Sequence, residues 1–292
     1  MYELVQVSDN CYYIQSPAKI GLVKTTGQDV CLIDSGNDKD AGRKVRQILD
    51  ANGWKLTAIY NTHSNADHIG GNKYLQGQTG CPVYAPGIEC SFTQFPLLEP
   101  SFLYGGFPPD DLRHKFLMAQ DSDARELTQD VLPKGWQIIP LPGHFFDMVG
   151  FRTPDDVAYI ADCLSSRETL DKYQIGFVYD VAAYLKTLET VKAMQAKVFI
   201  PAHAAATEEI TELAQYNIDK VMEIAERIIG ICEQPICFES ILQKLFTCYD
   251  LNMTFEQYVL VGSTVRSYLA WLKGIGRLNA LIENNLLLWQ RA

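Results

Sequence analysis

The segment Thr62-His63-Ser64-Asn65-Ala66-Asp67-His68-Ile69-Gly70-Gly71 concentrates two histidines, an asparagine and an aspartate in the six positions from His63 to His68. All four side chains offer lone pairs to a metal ion. A polar surface loop is the plain alternative, and two features weigh against it. The chain has only five histidines, and two of them fall here. The segment also follows Leu56-Thr57-Ala58-Ile59-Tyr60, an apolar run that reads as a buried strand. Loops on a rigid scaffold are where binding and catalysis concentrate.

Three further residues share that context. His144 follows the apolar run Trp136 to Pro140, Asp162 ends the run Val157 to Ala161, and His203 ends Val198-Phe199-Ile200-Pro201-Ala202. Four separate strand-like segments therefore end in a potential ligand. His114 lacks such a context and reads as a solvated helix residue. Cys163 adjoins Asp162, but strand alternation points it the other way.

The order of these segments resembles the metallo-β-lactamase superfamily, whose pattern is H-x-H-x-D-H followed by a lone His, a lone Asp and a last His. Here the first motif is His63-x-Asn65-x-Asp67-His68, and the later positions match His144, Asp162 and His203. Asp34, in Leu32-Ile33-Asp34-Ser35-Gly36, matches the family's early structural aspartate. The resemblance covers about residues 1 to 230. It implies two divalent metal ions, zinc foremost, with iron or manganese as alternatives. The first site would use His63, position 65 and His144; the second would use Asp67, His68 and His203, with Asp162 as the bridge.

The departure is Asn65, which stands where the family carries its second histidine. A carbonyl oxygen is a neutral and weaker donor than imidazole toward borderline metals. The second site should therefore bind its ion more tightly than the first.

The chain has 292 residues, 47% of them hydrophobic, and a net charge of −10. That length suits one large domain and a small one, and the charge disfavours a general polyanion-binding surface. Eight cysteines without a C-x-x-C pair suit reduced thiols in a cytoplasmic protein. Met1 to Val7 lacks a basic region followed by an apolar one, so no signal peptide is expected. No apolar run reaches the length of a membrane span.

The fold class expected is α+β, a four-layer αββα sandwich over residues 1–232, with a winged-helix-like unit over 233–292. Strands are expected at Tyr2 to Val7, Cys11 to Ile14, Gly21 to Thr25, Val30 to Ile33, Leu56 to Tyr60, Trp136 to Pro140, Gly150 to Thr153 and Val157 to Ala161. Helices are expected at about Asp40 to Ala51, Asn72 to Gln76, Val181 to Gln195 and Glu208 to Ile231. Gly70-Gly71 lets the backbone pass closely after the ligands. Residues 87–133, rich in Pro and Phe, read as a helical insertion without sheet. It is either simply a packed insertion or an aromatic wall over the metals that shapes the substrate pocket. Ser165 to Asp180 reads as a loop, and its Lys172 and Tyr179 are candidate substrate contacts. In the tail, helices at Phe238 to Cys248 and Phe255 to Lys273 precede a hairpin turning at Asn284-Asn285. Its five basic and five acidic residues cancel, which favours packing, dimerisation or a lid over DNA reading.

Two metals at such a centre yield a metal-activated hydroxide at neutral pH, and the resemblance gives Asp67 the part of orienting it. The first expectation is a hydrolase for a small ester, thioester, lactone or similar substrate. A nuclease or phosphodiesterase on the same centre is the nearest alternative. A di-iron oxygen-chemistry protein and a DNA-binding metal sensor are more distant ones.

Overall fold

The computed structural model describes residues 2–292; Met1, the first residue of the expected catalytic unit, lies outside the described residues. Strands β1 (Glu3–Gln6), β2 (Cys11–Gln15), β3 (Ile20–Lys24), β4 (Asp29–Ile33), β5 (Lys55–Tyr60), β6 (Val83–Ala85) and β7 (Ala124–Glu126) form one sheet in that order. Strands β8 (Gln137–Pro140), β9 (Val149–Arg152), β10 (Val157–Ser165) and β11 (Val198–His203) form a second, ordered β11-β10-β9-β8. Pairing is parallel from β4 to β7 and between β10 and β11, and antiparallel elsewhere in both sheets.

The two sheets face each other across a core that includes Cys11, Val23, Cys31 and Tyr60 from the first and Trp136, Phe151, Tyr159 and Ile200 from the second. The outer face of the first sheet is covered by α1 (Lys39–Asn52) and, beyond the short α2 (Ala66–Ile69), by α3 (Asn72–Thr79). Alternation explains this split: Leu22, Leu32 and Ile59 point out to α1 and α3, while Val23, Cys31 and Tyr60 point in. Asp38 caps α1 by accepting from the Ala41 amide at 2.9 Å, and Gly53 closes it in the left-handed conformation.

Residues 87–133 hold α4 (Gly87–Gln94) and α5 (Leu98–Tyr104), as an insertion should, but they also supply β7. That corrects the expectation of no sheet there. Only Ala124 of β7 is buried, so this short edge strand carries no apolar run to announce it. Likewise the expected loop from Ser165 to Asp180 contains α6 (Arg167–Tyr173), capped by Ser166. Leu170 alone is buried in α6, too little to print a helical period. His114 is not a solvated helix residue. It is half-buried, and its Nε2 lies 2.7 Å from Glu256 Oε1.

Beyond the second sheet, α7 (Val181–Ala193) and α8 (Thr211–Ile231) form the fourth layer. The tail supplies α9 (Phe238–Cys248), α10 (Phe255–Gly274) and the hairpin of β13 (Leu278–Glu283) with β14 (Leu286–Arg291). Asn284 and Asn285 both take positive φ at the turn, as two-residue hairpins require. A short strand, Ile236–Cys237, pairs with β14 and was not anticipated. Leu242, Leu245, Tyr268, Leu269 and Leu272 of the tail share one apolar cluster with Leu188 of α7 and Ile224 and Ile228 of α8. Among the described residues, no helix is long and apolar enough to cross a membrane.

Candidate metal centre

The sequence expectation placed its donors at strand ends, and the sandwich gathers those ends along one edge. His63 lies three residues beyond β5; Asp67 and His68 sit on α2. His144 lies in the turn after β8, Asp162 within β10, and His203 at the end of β11. His63, His144 and Asp162 have ligand atoms mutually within 4.8 Å, and so do Asp67, His68 and His203. Asp162 joins the two groups. Its Oδ1 is 3.0 Å from His68 Nε2, and its Oδ2 is 3.1 Å from His203 Nε2 and 3.6 Å from His144 Nε2. His203 Nε2 lies 3.3 Å from Asp67 Oδ2.

The backbone is shaped for this meeting. A side chain at Gly70 would come within 2.3 Å of Asn37 carbonyl carbon, and one at Gly71 within 2.3 Å of Ser35 oxygen. That is the close passage the Gly-Gly pair promised. A register shift in β10 between Tyr159 and Ala161 leaves Ala161 at φ +49°, just before Asp162. Such a bulge re-aims the side chain that follows it, here toward the metal cluster. Cys163 packs instead into the apolar core, and burial pushes its thiol far above the ordinary range.

Three histidines are oriented through their far nitrogens. His68 Nδ1 donates to Asp34 Oδ2 at 2.8 Å. Thr62 Oγ1 donates to the same oxygen at 2.7 Å and so accepts from His63 Nδ1 at 2.9 Å. His203 Nδ1 donates to the Pro17 carbonyl at 3.1 Å. Each Nε2 thereby faces the centre, where it offers its lone pair once an ion displaces its proton. Asp34 thus has the structural part assigned to it.

Do these residues fit metal ions? His63 Nε2 is a buried atom without a hydrogen-bond partner, and His68 Nε2 and Asp162 Oδ1, 3.0 Å apart, are not aligned for a hydrogen bond, whereas buried polar atoms in native folds are nearly always satisfied. Burial disfavours charge on His68, yet Asp162, Asp67 and Asp34 outweigh it and hold the ring protonated well above the ordinary range. Burial likewise opposes protonation of His203, but Asp162 and Asp67 push it up to about 10. His63, deeply buried beside His68, is driven the other way. The cluster thus demands positive charge at its centre, and a divalent ion supplies that while taking the lone pairs. The N/O donor set suits zinc, iron or manganese.

The remaining expected residues divide. Asn65 Oδ1 lies 3.3 Å from His144 Nε2. Tyr179 packs on Phe146 with ring centroids 4.0 Å apart, and its amide donates to the Gly143 and His144 carbonyls. Lys172 is exposed on α6 with its Nζ 3.0 Å from Tyr173 Oη, and the structure does not bring it to the cluster. Phe92 and Phe102 of the insertion join Phe145, Phe146 and Phe177 in an aromatic wall beside His63 and His144. Phe95 and Phe107 stay exposed.

Sequence reasoning missed two buried carboxylates of the insertion, Glu89 and Glu99. Glu89 accepts from the Ser64 amide at 3.1 Å and the Asp147 amide at 2.9 Å, tying the two ligand loops together. Burial raises its pKa to about 7 despite these bonds. A folded-state value above the ordinary 4.5 favours folding below pH 4.5, and that contribution is lost as pH rises through about 7. The loss amounts to roughly 3 kcal/mol at most. Urea unfolding of wild type and Glu89→Gln at pH 5 and pH 8 should show the wild type losing more stability over that interval. Equal losses would mean that Glu89 does not titrate there.

Known proteins share the family and the fold. The model of the metallo-beta-lactamase superfamily matches residues 10–203. A hydroxyacylglutathione hydrolase from Maricaulis maris is 51% identical over 120 residues, 39% of this chain and 36% of that protein. Another from Methylococcus capsulatus is 51% identical over 53 residues, 15% of this chain and 21% of that protein. The matches thus span well under half of those relatives' lengths. A beta-lactamase domain protein from Burkholderia ambifaria shares the fold with a TM-score of 0.76 at 16% identity, covering 99% of this chain and 95% of that one.

Proposed function

The chain belongs to the metallo-beta-lactamase superfamily, and from that premise we propose that it is a metal-dependent hydrolase of small thioesters or esters. The observation that carries the reading is the convergence of six histidine and aspartate side chains, with His63 Nε2 buried and unpartnered among them. We assign His63, Asn65 and His144 to a first ion, Asp67, His68 and His203 to a second, and Asp162 to both. Zinc is the ion we favour. When bound, divalent ions at such a centre activate water for attack and polarise the scissile carbonyl.

The chain's own residues do the rest. Asp67 has the most exposed side chain of the paired donors, at 38% against 27% for His203 and 10% for Asp162. It is therefore placed to hold the attacking water and receive its proton. Asp34 and Thr62 keep the imidazoles of His68 and His63 in one tautomer. The aromatic wall excludes bulk water, and Tyr179 is the substrate contact we propose beside His144. A thioester is favoured because the relatives are named for hydrolysing hydroxyacylglutathione, which is one. We read residues 233–292 as a packing unit of winged-helix-like order rather than a DNA reader.

The test is elemental mass spectrometry of the purified chain followed by a panel of thioesters, esters, phosphodiesters and single-stranded RNA. About two zinc ions per chain and thioester turnover support the proposal. Phosphodiester or RNA cleavage without thioester turnover would replace it.

A further inference from the structure

Asn65 stands where an imidazole would normally serve the first ion, and an amide can present either its oxygen or its NH2 group. Only the oxygen binds a cation. The structure holds the amide in one sense. Asn65 Nδ2 donates to Glu99 Oε1 at 2.7 Å, which turns Oδ1 to within 3.3 Å of His144 Nε2. His144 in turn sits in the cluster with His63 and Asp162.

Glu99 comes from α5, in the insertion, and is 5% exposed. A buried carboxyl facing an amide is satisfied when it accepts from the NH2 group, and it offers an acceptor oxygen whether charged or neutral. The flipped amide would set its NH2 group against the ion, and its oxygen would face an ionised Glu99 without a proton between them or need one donated by a neutral Glu99.

We propose that Glu99 is a positioning residue that locks Asn65 with its carbonyl oxygen toward the first metal position, so that insertion and asparagine together replace the missing histidine. This rests on the dinuclear reading above. Removal of a group that orients a ligand typically weakens a metal 10- to 100-fold. Glu99→Leu removes the acceptor at similar volume and should weaken the first ion by that factor, leaving the second unchanged. Glu99→Gln can still accept from Asn65 through its own oxygen and should stay close to wild type.

The experiment is zinc and cobalt(II) titration of wild type and variants, with cobalt spectra to separate the sites and thermal melts to verify folding. Selective loss of one ion in Glu99→Leu, with retention in Glu99→Gln, supports the proposal. Two ions bound as tightly in Glu99→Leu as in wild type overturn it and leave Glu99 as an anchor for α5. Equal weakening of both ions, or equal weakening by Gln and Leu, also overturns it. If Glu99→Leu does not fold, Glu99→Asp decides, because it keeps the carboxyl group but withdraws the acceptor by one carbon–carbon bond. A wild type that binds fewer than two ions sinks the dinuclear reading itself, an outcome distinct from all of these.

Discussion

Replacing Asp67 by alanine should lower kcat for thioester hydrolysis by roughly 10²- to 10⁴-fold, the range for loss of a positioned proton-transfer group. Asp67 Oδ2 is 3.3 Å from His203 Nε2 and 3.8 Å from His68 Nε2, so its carboxylate is fixed from one side while the other is open. Alanine removes both the ligand and the proton acceptor. Asp67→Asn separates these roles, since its carbonyl oxygen can still coordinate but cannot take the proton as a carboxylate does. Metal content measured beside kcat distinguishes them: Asp67→Asn should keep more of its metal than Asp67→Ala while remaining slow. An Asp67→Ala enzyme that retains wild-type kcat would remove this residue from the mechanism.

Chelation should abolish turnover and lower Tm by roughly 5–10 °C at neutral pH, both reversed by added zinc. The magnitude follows from linkage: an ion present at 100 times its Kd contributes about 2.7 kcal/mol, and each kcal/mol moves Tm by about 2–4 °C in a chain of this size class. The direction follows from the site. Asp34 and Asp162 are nearly buried around His68, and Asp67 adjoins them. Without the ion, these carboxylates are balanced only by protons taken up on His68 and His203, and the coordination that ties all the donors together is lost. Scanning calorimetry with and without chelator measures the effect; an unchanged Tm would mean that the ions are not bound at this cluster.

How much of this was legible in the sequence differs residue by residue. His63, His144, Asp162 and His203 were visible because each follows or ends an apolar run, and such runs survive in one dimension; Asp67 and His68 were visible because they crowd the motif that follows the first of them. Gly70-Gly71 could be read as a close backbone passage, since glycine after a ligand motif has few other uses. Glu89 and Glu99 could not be found. Their contacts are tertiary, and glutamates on short helices look solvated until the insertion folds back over the motif loop. The Phe145-Phe146 pair after His144 was a usable signal that went unread. β7 and α6 escaped because each buries a single residue, and pattern reading needs several. Pairing of His114 with Glu256 joins distant segments and leaves no local trace.

His63, Asp67 and His68 belong to the connection leaving the first sheet, whereas His144, Asp162 and His203 belong to the second. The coordination sphere we propose is therefore complete only when the two halves of the sandwich have mated in the correct register. An ion captured there acts as a rivet across the seam and as an inspector of it: a chain whose halves slip by one residue presents at most half a sphere and stays unloaded. Metal uptake in this architecture reports on the quality of folding as well as enabling the chemistry.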